Sequence, residues 1–204
     1  MRKSALLLVL LLVLSSVSCW VPSLQPLYED GQPIFGQALL GTWGATNCDQ
    51  DSEGQFQNCT IALSEYDDKR GTDKVINRGY NIVFRLSDGT QSTHRAYLVQ
   101  LAQYRFLDSA LDETPLKVTE ATAVHLLPVH MFWKITVDRE ILKLYRMRSS
   151  WFNGFKGRRK IGMHPVITDE DWLLTAQPRE LQAFFKKHAD DLDFFEDPIV
   201  WQKQ

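Results

Sequence analysis

The sequence predicts a mainly β domain built from eight short strands in succession, and three observations carry that expectation. Short segments alternate apolar and polar residues between turn signals, which is the pattern of half-buried strands. The connections between them are short, and no helix interrupts until late in the chain. One connection holds Asp88-Gly89, a strong hairpin signal because a type I′ turn needs positive φ at both central residues. A run of this kind is arranged as an up-and-down barrel or as a sandwich.

Residues 39–46 and 57–66 form the first two strands, on either side of the polar loop DQDSEGQFQN. The third is the clearest. Tyr80, Ile82, Phe84 and Leu86 fall on one face and Asn81 and Arg85 on the other, because side chains alternate along a strand. After Asp88-Gly89 comes a strand over residues 93–101, with Tyr97, Val99 and Leu101 on one side. Residues 104–109 give a short fifth strand. Residues 122–137 give a long sixth one that should bend at Pro128, since proline cannot donate to a ladder. A turn at Asp138-Arg139-Glu140 leads into residues 141–147, and residues 172–176 supply the eighth strand.

Two helices are expected. Residues 179–188 follow Pro178 and carry Leu181, Phe184, Phe185 and His188 at helical spacing. Proline in the first turn suits a helix start, and the apolar stripe should lie on the sheet. Residues 150–158 make a weaker helix, because Gly154 and Gly157 lower its propensity. Beyond the acidic stretch 190–197, Ile199-Val200-Trp201 reads as a closing strand.

The first residues read as an address. Arg2 and Lys3 precede an apolar run from Ala5 to Leu14, and small residues lead to Cys19. That is the layout of a secretory signal peptide, and the run is short against the roughly 20 residues of a membrane span. Ser16-Val17-Ser18-Cys19 resembles the lipobox of bacterial lipoproteins, with Ser16 where that family prefers an aliphatic residue. The resemblance implies acylation of the Cys19 sulfur, anchoring of the chain to the cell envelope, and outer-membrane sorting in a two-membrane host, since residue 20 is Trp rather than Asp. Ser16 and Ser18 also suit simple secretion. The expected organisation is a signal peptide over 1–18, a tether over 19–33, where Pro22, Pro26 and Pro33 resist helix and sheet, and a single barrel domain over 34–204.

The chain has 23 basic and 25 acidic residues; without Arg2 and Lys3 the balance is 21 against 25, a net charge of −4. That argues against a nucleic-acid partner, which calls for a clustered basic surface. With Cys19 set aside, Cys48 and Cys59 remain. An even pair in an oxidising compartment suggests a disulfide stapling the first hairpin, against the alternative of two buried thiols.

The order of elements then resembles that of the lipocalins. Gly41-Thr42-Trp43 matches their G-x-W, and W-L-L-T-A-Q-P at 172–178 is similar to their last strand and its exit into a C-terminal helix. The resemblance implies an eight-stranded antiparallel up-and-down barrel with the helix packed outside, Trp43 at its floor, and a lipid or other small hydrophobic ligand in its mouth. Tyr80, Phe84, Tyr97 and Trp133 are the candidate lining residues, with a filled core as their other role. The chain departs from the pattern at Ala176, where lipocalins place an Arg that packs over the first-strand Trp.

Catalytic signatures are missing: there is no G-x-S-x-G, H-E-x-x-H, P-loop or G-x-G-x-x-G. No enzyme activity, cofactor or metal is therefore expected. His125 and His130 are five apart and fall on opposite faces of a strand. Asp49, Asp51, Glu53 and Gly54 copy the opening of a calcium loop, but the twelfth position is Thr60 rather than Glu. Trp151, Phe155 and the basic run Arg158-Arg159-Lys160 could rest on anionic headgroups or pack on the barrel. Two functions follow as expectations: an envelope lipoprotein that binds a hydrophobic molecule, or a non-catalytic assembly lipoprotein that contacts another envelope protein.

Overall fold

A computed structural model describes residues 21–50, 56–69, 75–112, 129–153, 163–165 and 172–204. Its strands are β1 (Gly41–Gln50), β2 (Phe56–Asp68), β3 (Asn77–Leu86), β4 (Gln91–Leu101), β5 (Tyr104–Leu111), β6 (His130–Asp138), β7 (Ile141–Arg146), β8 (Met163–Pro165), β9 (Trp172–Leu174) and β10 (Ile199–Lys203). A short helix α1 (Ser149–Asn153) and a longer one, α2 (Pro178–His188), complete the elements, with a 3-10 turn at Gln37–Leu39. The expected signal peptide at 1–18, Cys19, His125, Pro128, the centre of the acidic loop and the basic run 158–160 lie outside the described residues.

Eight antiparallel strands close a barrel in the order β1-β10-β7-β6-β5-β4-β3-β2. Strands β1 to β7 follow one another around the wall, so the up-and-down expectation holds. The eighth strand is a correction. Residues 172–176 do not close the barrel: β9 pairs with β8 in a separate two-stranded sheet. Closure falls to β10, which pairs Lys203 with Trp43 and Gln202 with Gly44 on β1 and makes four further pairs on β7. Both segments are short, apolar and of period two, and pattern alone cannot tell which finds a barrel edge.

The β3–β4 hairpin forms as expected, with a different turn. Only Gly89 takes positive φ, at 90°. The Asp88 carboxylate accepts from the Thr90 N–H at 2.7 Å, and the Leu86 N–H donates to the Thr90 carbonyl at 2.9 Å. This is a three-residue connection over 87–89 with glycine in the left-handed position, not a two-residue type I′ turn.

Two apolar clusters divide the molecule. The inner one fills the barrel with Leu39, Trp43, Ile61, Tyr80, Leu98, Leu142 and Trp201, among others. The outer one covers the far side of β4, β5 and β6. There α2 buries Leu181, Phe184 and Phe185, with Phe185 edge-on to Phe106 at 5.4 Å and to Phe132 at 5.3 Å. At the start of α2 the Glu180 carboxylate accepts from the Gln177 N–H at 3.1 Å, as a capping side chain does. At its end Lys134 Nζ donates to the Ala189 carbonyl at 2.6 Å.

Residues 21–33, expected as a tether, pack on this outer wall. The prolines keep the segment irregular, yet Val21, Ser23 and Leu27 are fully buried. Ser23 exchanges backbone hydrogen bonds with His130 at 2.9 and 2.8 Å, and the Leu27 N–H donates to Asp108 Oδ2 at 2.7 Å. Further on, the Ile34 N–H donates to the Leu98 carbonyl at 2.8 Å. The segment runs down the wall like a strap, from the β6 start to the β1 start.

Candidate functional site

The ladder registers fix which side chains face the barrel interior. Trp43 lies opposite Ile61, Ile61 opposite Phe84, Leu98 opposite Leu107, Leu107 opposite Trp133, and Ile135 opposite Leu144. Cross-strand partners share a face, so these residues and their second neighbours line one continuous inner surface.

The two ends of that surface differ. At the end where β1 begins, the 3-10 turn closes the barrel. Trp43 Nε1–H donates to the Leu39 carbonyl at 2.9 Å, and Leu39 and Trp43 are buried. The Tyr80 hydroxyl donates to the Gly36 carbonyl at 3.1 Å and accepts from the Gly36 N–H at 2.8 Å. Phe35 stacks on the Tyr80 ring at 5.1 Å, and the Arg78 guanidinium lies over the Phe35 ring at 4.8 Å. Arg78 also pairs with Glu65 and Asp67. This end is a floor.

At the opposite end, solvent reaches a set of inward-facing apolar residues. Phe84, Leu86, Met131, Trp133 and Ile199 are half-buried, and Leu111 is 45% exposed. Inward-facing residues deeper in the barrel, such as Tyr80, Ala96 and Leu98, are 0 to 2% exposed. Apolar side chains of this rim therefore remain partly open to water, unlike those of the floor. This end is a mouth. On its β1–β2 side lie Cys48 and Cys59, bonded as a disulfide with Cα atoms 6.0 Å apart. The pair sits where the β1–β2 register shifts, between Ala45 and Asp49.

The four lining residues expected from the sequence separate accordingly. Phe84 and Trp133 line the mouth half, with Phe84 edge-on to Trp201 at 6.4 Å. Tyr80 belongs to the floor, where its hydroxyl is bound to Gly36. Tyr97 is a correction: it faces outward into the strap, 4.7 Å from the Tyr28 ring and 6.4 Å from Tyr66. Both faces of β4 are apolar here because α2 and the strap cover the outer one, so alternation could not tell inside from outside. Leu111 and Met131 also face the interior at this end, opposite His94 and Ser109.

Two polar sites accompany the barrel. On the outer wall Asp108, 1% exposed, receives the Leu27 N–H and stands 2.7 Å from His130 Nδ1. Burial pushes its carboxyl above the usual range, against the hydrogen bonds from His130 and Leu27. Asp108 anchors the strap. An open groove of about 620 Å3 also crosses the outer wall of β10, β1, β2 and β3, lined by Thr46, Asn58, Thr60, Arg85 and Gln202 among others. Among the described residues, no group of three or more His, Cys, Asp or Glu could hold a metal ion. No described helix is long and apolar enough to cross a membrane.

Lys203 Nζ, on the strand that closes the barrel, stands 5.2 Å over the Trp43 ring. Fold and site together define a closed eight-stranded antiparallel β-barrel with a floor, an apolar mouth and an external layer of strap and helix. Set against models of protein families, curated proteins and solved structures, the chain matches none.

Proposed function

We propose that this is an exported envelope protein, lipid-anchored through Cys19, whose barrel takes the chain of a lipid or similar apolar molecule into its mouth. The observation that carries the reading is the asymmetry of the inner surface: Leu111 and its inward-facing neighbours are open to solvent at one end, while Trp43 and Tyr80 close the other. An eight-stranded barrel is wide enough for one small ligand when its interior is not filled by its own side chains. The mouth end is where that condition can be met.

The strap supports the membrane half of the reading. Ser23 is fixed to His130, the first residue of β6 and part of the mouth end. An extended chain spans about 3.5 Å per residue, so Cys19 can lie no more than about 14 Å from Ser23. An acyl chain there would hold the mouth, rather than the floor, next to the bilayer. The ligand's source and the opening that receives it would then face each other.

Two measurements test the proposal. Metabolic labelling with a clickable palmitate analogue should mark the wild-type chain and not Cys19→Ser. The full chain carrying Cys19→Ser, stripped of lipid, should bind a fluorescent fatty-acyl probe saturably at micromolar concentration. No saturable binding would remove the ligand-binding reading. The assembly-protein alternative draws on the outer-wall groove, and it would gain if in-cell crosslinks from Thr60 or Gln202 captured one stoichiometric envelope partner.

A further inference from the structure

The wall of the mouth carries inward-facing polar side chains, and two of them sit together on β4. Ser92 and His94 face inward on β4: Ser92 lies opposite Phe84, and His94 lies between Ile82 on β3 and Leu111 on β5. Ser92 Oγ and His94 Nε2 are 2.9 Å apart, and both residues are half-buried. Burial lowers the His94 pKa from its ordinary value, which favours the neutral ring. In that form the pair carries no net charge.

A neutral imidazole has one donor and one acceptor, and a hydroxyl can act as either. Their mutual bond uses one donor and one acceptor, which leaves His94 Nδ1 and the remaining capacity of Ser92 for a third group. Among the described residues the inward-facing arginines are held elsewhere: Arg78 and Arg105 stand at the floor end, where Arg78 pairs with Glu65 and Asp67, and the Arg146 guanidinium, opposite Trp133, is engaged by the Glu196 carboxylate. A buried anionic head would therefore lack a compensating charge at Ser92 and His94, which is costly, while a hydroxyl or carbonyl would not.

We infer that Ser92 and His94 are the head-group contact of the mouth, and that they select a neutral amphiphile such as a long-chain alcohol or a monoacylglycerol over the matching anion. The inference rests on the ligand-binding reading above. In it, the chain of the amphiphile lies along Phe84, Leu111 and Trp133, and the head meets β4.

The test is displacement of a fluorescent fatty-alcohol probe from the full chain carrying Cys19→Ser, at neutral pH and below the critical micelle concentrations. Hexadecanol should displace it at a concentration about tenfold lower than hexadecanoate, the size expected when a head group gains hydrogen bonds without burying a charge. In His94→Leu the probe should still bind, and the preference should shrink to less than about threefold. Ser92→Ala serves as a milder second variant, with the same direction expected, should His94→Leu fail to fold. Equal displacement by both competitors in the wild type would overturn the inference, as would a preference unchanged in the folded variants. Failure of the probe to bind the wild type at all would instead sink the reading on which the inference rests.

Discussion

Lys203 Nζ stands 5.2 Å over the ring of Trp43, and the pair marks the seam where the last barrel strand meets the first. That seam is narrow: β1 and β10 share the pairs Trp43 with Lys203 and Gly44 with Gln202. The Gln204 N–H adds a bond to the Thr42 carbonyl at 2.9 Å. Closure of the barrel therefore leans on what β10 buries, chiefly Trp201 at 2% exposure.

Strand β10 should behave as core rather than as tail. Trp201→Ala should cost about 3–5 kcal/mol, as large-to-small changes of buried aromatics do. Lys203→Met should cost about 0.5–1 kcal/mol for the lost cation–π contact. Val200→Thr, on the exposed face, should stay within about 0.5 kcal/mol. Urea denaturation of the three variants checks the ranking.

The four aromatic residues first read as lining should separate into three behaviours. Tyr80→Phe leaves both polar groups of Gly36 without their partner and should cost about 1–3 kcal/mol, with probe binding unchanged. Tyr97→Phe should also leave binding unchanged, since the ring faces the strap. Phe84→Asp and Trp133→Asp put a charge on the mouth wall and should abolish saturable binding. Fluorescence titration of the folded variants reads the outcome.

The disulfide between Cys48 and Cys59 closes a short loop, with a sequence separation of 11. The chain-entropy relation gives about 3 kcal/mol for a loop of that size. Reduction, or the double change Cys48→Ala with Cys59→Ala, should lower the denaturation midpoint by a corresponding amount. The barrel should remain folded, because Ile61, Leu63 and the β2–β3 ladder do not depend on the bridge.

Stability should fall on mild acidification. Burial depresses the pKa values of His94 and His188 below the ordinary 6.5, with Lys187 adding to the effect at His188. A group whose folded pKa is lowered binds its proton more readily in the unfolded chain. Its contribution is therefore present above pH 6.5 and is lost as pH falls through the folded pKa values. His94→Gln should remove part of that slope, as read from denaturation midpoints across the range.

The barrel was legible in the sequence wherever one face of a strand met water. Residues 80–86 alternate cleanly because the outer face of β3 is exposed at Arg85 and half-buried at Asn81 and Val83. β4 buries Ala96, Tyr97, Leu98 and Val99 in a row, so its inner and outer faces cannot be told apart by polarity, and alternation alone does not place Tyr97. The strap was hidden by its prolines: they do exclude regular structure, but burial through Val21 and Leu27 and a bond to the distant Asp108 are non-local facts. Choosing between residues 172–176 and 199–203 as the closing strand needed the same kind of fact. The mouth was half legible: Phe84 and Trp133 were selectable by alternation, while its openness at Leu111 depends on where the floor lies.

The most direct test of the account is where a bound chain sits. A photoactivatable fatty alcohol, with the reactive group near the chain end, should be crosslinked to the full chain carrying Cys19→Ser, and the labelled residues mapped by peptide mass spectrometry. Label concentrated on Phe84, Leu86, Leu111, Met131 and Trp133 is the predicted result. Label concentrated on the outer-wall groove at Thr46, Thr60 and Gln202, or spread evenly over the surface, would contradict it.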